Sequence, residues 1–232
     1  MILSAHQPAY LPWLGYFEKI ARSDIFIFLD AVQFEKNSFI NRNKIKTPQG
    51  SCWITIPVNS KGHLNTTICD IGVDDSQEWR LKHLKAIQSN YQKAQHFNEA
   101  YPLIESIIRQ QDQILSELLF EHLKVWLKIF KIKTKVIRLS DLQITTKKSD
   151  LVLNLCEYFG AKNYLSGALG KNYIQEKDFD DLNIAVEYQE FNHPIYRQLW
   201  GDFIPNMGAV DYLMNCGPGE IKFLREEGAN EF

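Results

Sequence analysis

The chain has 232 residues, 45% of them hydrophobic and 23% charged, with 26 Lys plus Arg against 28 Asp plus Glu. That is enough apolar material for one well-cored domain over residues 1–232, and it excludes a low-complexity or disordered chain. The near balance of charge supplies no long-range field for nucleic acid or an acidic membrane, so the expected partner is a small molecule, with oligomeric state left open.

The sequence begins with the strand-like "MILSA" rather than a basic, apolar signal segment, and no 18-residue apolar run follows, so no membrane span and a cytoplasmic protein are expected. Cys52, Cys69, Cys156 and Cys216 form no CxxC pair and no metal-type spacing with the six histidines, which reads as reduced thiols and no metal.

Residues 1–5 read as a strand, and Trp13, Leu14, Phe17, Ile20 and Ala21 as one face of a helix that Pro12 introduces. "DIFIFLD" (24–30) reads as a buried parallel strand, completing a βαβ unit. Two alternating runs around Pro48-Gln49-Gly50 predict a β-hairpin insertion over about 34–58, followed by a polar loop over 59–67 and one short strand in "TICDIGV". A helical segment spans about 76–131, capped at Asp75-Ser76, reopened at Pro102 and broken near 110–113. "KTKVIRL", a helix ending at Gly160, "KNYLSG" and "IAVEYQEF" then repeat the strand and helix alternation, with short helices to the end. The fold class is α/β, a Rossmann-like, mostly parallel sheet flanked by helices.

Four segments carry polar chemistry. In the opening "HQPAYLPWLGY", at a strand's carboxyl end where open α/β sheets bind ligands, His6 is the catalytic candidate, as general base or oxyanion donor. Gln7, Tyr10, Trp13, Gly15 and Tyr16 are its substrate-binding neighbours, against the alternative that the aromatics fill core. In "NRNK", Asn41, Arg42, Asn43 and Lys44 put two cations on one strand face, suited to a diphosphate or carboxylate if that face meets the opening loop, with a solvated face that protects a strand edge as the alternative. Ser166, Gly167, Gly170, Lys171 and Tyr173 follow the strand "KNYL" as a turn able to support phosphate, although GxxGK lacks the full P-loop spacing. His193, Tyr196, Arg197 and Gln198 form an aromatic and polar tail loop of the kind that lines pockets, and Asp30 and Asp211 are candidate bases or anchors. Cys216 in "NCGPG" is a conceivable nucleophile, with a buried structural thiol as the commoner role.

Taken in order, "HQPAYLPWLGYFEKI", "FLDAVQF", "NRNKIKTPQG", "WITIPV", "YLSGALGKNYI" and "DYLMNCGP" resemble the WbqC-like protein family over essentially the whole chain. The resemblance implies motif positions at His6, Gln7, Pro8, Tyr10, Pro12, Trp13, Gly15, Tyr16, Asn41, Arg42, Asn43, Ser166, Gly167 and Tyr173. It implies a transferase of O-antigen or other surface polysaccharide, adding glycine or another acyl group to a nucleotide-activated sugar, with a nucleotide or sugar nucleotide bound and the cofactor unknown. Gly208 departs from the serine that the family leads one to expect. A fainter resemblance, to HIGH-motif nucleotidyltransferases, puts Trp13 and Tyr16 where that motif has histidines. It implies a nucleotidyl or adenylyl transferase with a remodelled site. A non-catalytic sugar-nucleotide-binding protein is the alternative from another class.

Overall fold

The structure, a computed structural model, describes residues 1–59 and 66–219. Strand β1 (Ile2–His6), helix α1 (Leu14–Ala21) and strand β2 (Ile25–Phe28) form the expected βαβ unit. Later in the chain come β7 (Lys135–Arg138), α5 (Lys148–Phe159), β8 (Asn163–Ser166), α6 (Glu176–Asp180) and β9 (Ala185–Tyr188). The five long-range partners assemble into one all-parallel sheet in the order β7-β2-β1-β8-β9. Strand order therefore reverses on the two sides of β1, and the crevice between the carboxyl ends of β1 and β8 is the switch point where such sheets bind ligands.

Period-two alternation sorts the sheet residues between two cores. Phe26 and Phe28 of β2 pack with Phe17, Trp126 and Phe130, while Leu3, Ala5 and Ile27 pack with Leu151, Leu155 and Tyr164 on the opposite face. The first core includes the helical segment α2 (Trp79–Tyr91), α3 (Phe97–Ile108) and α4 (Leu115–Ile129). The break expected near 110–113 separates α3 from α4, but Pro102 lies inside α3 rather than opening it. Asp74, not Asp75 or Ser76, supplies the capping carboxylate, and it caps a short 3-10 turn ahead of α2.

The predicted hairpin is present as β3 (Arg42–Thr47) and β4 (Gly50–Thr55), turning at Gly50 with a φ of +106°. The loop expected at 59–67 falls largely outside the described residues. Beyond it, 68–70 form a 3-10 turn, and the expected strand shrinks to β6 (Gly72–Val73), paired with β5 (Val58–Asn59). Gly160 ends α5 at a φ of +65°, the left-handed stop that its sequence position requires. Helix α7 (Ala209–Cys216) closes the described chain.

Candidate active site at the β1–β8 crevice

The opening loop leaves β1 at His6 and is held from behind by the hairpin. Leu11 is buried with a φ of +43°, a conformation that a branched side chain before proline rarely adopts. Asn43 accounts for its persistence: its amide donates to the carbonyls of Leu11 at 2.8 Å and Tyr10 at 3.2 Å. Gly208 supports the same junction, since a Cβ there would stand 2.9 Å from the Leu11 oxygen and 3.3 Å from the Lys44 oxygen. This close approach of three backbone segments is a physical reason for glycine where serine was expected.

Two adjoining cavities, of about 510 and 500 Å3, open at the crevice. Both are of a size that holds small molecules. They share His6, Gln7, Lys19, Glu35, Gly167 and Leu169. One chamber has aromatic walls, Trp13, Tyr16, Phe39 and Phe191; the other runs toward α5 and is lined by Lys148, Gly170, Asn172 and Tyr173. Of the residues singled out from the sequence, His6, Gln7, Trp13, Gly15, Tyr16, Gly167, Gly170 and Tyr173 come together here.

His6 Nδ1 lies 2.9 Å from the Gln7 carbonyl, which can only accept, so the hydrogen sits on Nδ1 and Nε2 carries the lone pair. Burial, with the Lys19 charge adding to it, lowers the His6 pKa to about 3, so the ring is neutral at physiological pH. Trp13 and Tyr16 meet this ring edge-on, with centroids 5.5 and 5.0 Å away. Gly15 serves packing as much as access, because a Cβ would meet the Phe191 ring at 2.9 Å and Trp13 Nε1 at 3.1 Å.

Sequence reasoning missed several lining residues, Lys19, Glu35, Lys148 and Phe191 among them, and Lys19 is the deepest charge of these. Its side chain is buried against the end of β1, its Nζ donates to the Ala5 carbonyl at 3.0 Å, and burial lowers its pKa to about 7. A helical lysine ordinarily reads as solvated. The available signal was its place four residues after Gly15, on the same helical face as the glycine that borders the loop.

The remaining candidates do not line these two cavities, and most have another visible task, Lys171 for one standing 5.2 Å from the Tyr188 ring centroid. Tyr10 points into the helical layer, where its hydroxyl meets His83 Nδ1 at 2.8 Å. Asp30 accepts from Arg138 at 2.7 Å and from the Ser140 amide and hydroxyl at 2.9 and 2.7 Å, while Arg138 also grips Glu117. Asn41 donates to the Ile56 carbonyl at 2.8 Å. Arg42 and Lys44 do share a strand face, but they stand over Trp53, 4.3 and 4.9 Å from its centroid, and Asn43 on the opposite face meets the opening loop. Ser166 is buried, with its hydroxyl donating to Gly167 at 3.1 Å, and a Cβ at Gly170 would lie 1.9 Å from that hydroxyl, so a larger residue there forces Ser166 to shift.

His193 packs its ring against Phe191, Tyr196 and Phe203. Tyr196 and Gln198 each donate at 2.8 Å to the buried Asp211, which also accepts from Tyr91 at 2.9 Å. Lys46 joins this network through Gln198 at 2.9 Å, tying the hairpin to α7. Cys216 is exposed, but partial desolvation of its sulfur and the Asp211 charge push the thiol up to about 11, away from the thiolate that a nucleophile needs. Among the described residues no group of three or more His, Cys, Asp or Glu is placed to hold a metal, and no helix is long and apolar enough to cross a membrane.

Compared with known proteins, residues 7–223 match the WbqC-like protein family. The chain is 35% identical over 221 residues to a Mycobacterium tuberculosis protein named as uncharacterized protein Rv1507c, covering 94% of this chain and 95% of the relative. No solved structure matches.

Proposed function

This chain belongs to the WbqC-like protein family, and we propose that it is a cytoplasmic transferase of surface polysaccharide (O-antigen) synthesis, moving glycine or another acyl group onto a nucleotide-activated sugar. The observation that carries this reading is the pair of chambers sharing His6 and Lys19. Transfer between two substrates needs separate seats for donor and acceptor whose reacting ends meet at one wall, because holding both in register removes most of the entropic barrier.

The His6 tautomer supports a division of roles. With hydrogen on Nδ1, Nε2 can accept the proton of an amine as its nitrogen bonds to the acyl carbon; the donor's bond from that carbon to its leaving group breaks, and His6 passes the proton to the departing group. The same tautomer leaves no Nε2–H to donate, so charge developing on the acyl oxygen falls to the Lys19 ammonium rather than to His6. Burial is the main reason that His6 sits so far below the usual histidine range, and an anionic substrate beside Lys19 offsets the smaller part that the Lys19 charge adds. Trp13 and Tyr16, pressed edge-on against His6, act as walls of the acceptor chamber.

A thermal-shift screen of the purified protein against sugar nucleotides, nucleotides and amino acids identifies the substrates, since a ligand that binds only the folded state raises Tm by mass action. With substrates in hand, His6→Ala is expected to lower kcat by about 100-fold or more while the protein stays folded. An unchanged rate in folded His6→Ala would sink the catalytic role of His6.

A further inference from the structure

Among the described residues Lys19 has no ion-pair partner, and the nearby Glu18 charge offsets its burial only in part. Lys19 is 2% exposed, its ammonium group has three hydrogens to donate, and among the described residues its Nζ has one acceptor, the Ala5 carbonyl. Among the described residues no carboxylate lies within ion-pair distance of it. The adjacent Glu18 is turned aside to Arg22, at 2.9 Å, and to the Gln189 amide. An ammonium group buried without a counter-ion is costly to fold, and the cost is offset when an anion arrives.

The two chambers differ in what they offer that anion. The α5 side adds a second cation, Lys148, exposed in the first turn of a twelve-residue helix whose amino terminus has no side-chain cap. The aromatic side adds no further cation to Lys19. Glu35, exposed and common to both linings, is the one carboxylate among them. We propose that the α5-side chamber is an anion site that seats a phosphate or carboxylate of one substrate between Lys19 and Lys148, leaving the aromatic chamber for the uncharged part of the other. This assignment rests on the two-chamber reading for its place in the reaction, but anion binding itself requires no turnover.

Seating the anion also moves a proton. Near pH 8 the Lys19 amine is largely neutral in the free protein, because its pKa is lowered to about 7, and a bound anion draws a proton onto it. The neighbouring titratable groups are His6 on β1, Glu18 on α1, Glu35 at the mouth, and Lys148 and Tyr173 on the α5 side.

Isothermal titration of the full chain with inorganic pyrophosphate and, separately, malonate tests the proposal at low salt. The expected result is one saturable site for at least one probe; tighter pyrophosphate identifies a phosphate site and tighter malonate a carboxylate site. Lys19→Met should weaken binding by about tenfold or more and Lys148→Met by a few-fold. Wild-type affinity should fall as pH rises from 7 to 9, with proton uptake read from titrations in buffers of different ionisation enthalpy. That arm and Lys148→Met keep the test intact if Lys19→Met does not fold. Absence of saturable binding by wild type, or wild-type affinity in both lysine variants, overturns the site. Anion binding retained in a His6→Ala protein that no longer transfers supports the site independently of the catalytic role.

Discussion

Replacing Lys19 by methionine should make the protein more stable while emptying the site of its charge. Burial lowers the lysine pKa from 10.5 to about 7, so the folded state holds the protonated form less favourably than the unfolded chain does. At 1.36 kcal/mol per unit the penalty is about 4–5 kcal/mol at and below pH 7. It shrinks as pH rises, because between pH 7 and 10.5 the unfolded chain carries the extra proton, and wild-type stability climbs by about 1.4 kcal/mol per unit. Methionine removes this penalty but leaves the Ala5 carbonyl without the Lys19 donor now 3.0 Å away, a loss of about 1 kcal/mol. The net expectation is a variant about 3–4 kcal/mol more stable than wild type at pH 7, the gap closing by pH 9.5. Urea unfolding of both proteins at matched pH values measures it. Working at pH 7 and above keeps His6 neutral in both, so its own change of pKa on losing the Lys19 charge does not enter. A variant less stable than wild type at pH 7, or a gap that does not change with pH, refutes a buried, uncompensated ammonium.

Other substitutions test the frame around the site. Gly170→Ala drives a Cβ to 1.9 Å from Ser166 Oγ and should destabilise by about 1–3 kcal/mol; in a double-mutant cycle Ser166→Ala should restore part of that loss, and additive effects would contradict the contact. Asp211→Ala leaves Tyr91, Tyr196 and Gln198 without their shared acceptor, so a loss of about 3 kcal/mol or more is expected by denaturant unfolding. Asn43→Ala frees the strained Leu11 carbonyl, and hydrogen exchange in residues 10–14 should rise before that of β2. Iodoacetamide at pH 8 should modify the exposed Cys52 first and Cys156 only on unfolding, since Cys156 is buried and its thiol is pushed up to about 12; early labelling of Cys156 would show a looser second core.

The sheet was legible because its strands are dense apolar runs with clear stops, and "DIFIFLD" or Gly160 leaves few alternatives. Elements too short to show a period were not. The two-residue β5 and β6 are held by pairing with each other, and the five-residue α6 has less than two turns in which to reveal a face. Position at the end of β1 made His6 and Gln7 readable. Depth was not readable: Lys19 is buried by contacts with β1 and the β8 turn, which lie far from it in sequence. The "NRNK" run shows the same difficulty. Alternation correctly groups Arg42 with Lys44, yet the face that meets the opening loop is that of Asn43, and only the placement of the hairpin decides which face turns inward.

The central claim is that ligands enter the crevice between β1 and β8. Hydrogen–deuterium exchange with and without the sugar nucleotide giving the largest thermal shift tests it directly. Protection should concentrate in residues 6–19, 165–173 and 189–191, the segments that bring His6, Lys19, Gly167 and Phe191 to the two chambers. Protection confined to the hairpin, the helical layer or the Asp211 network, with these three segments unchanged, would contradict the account.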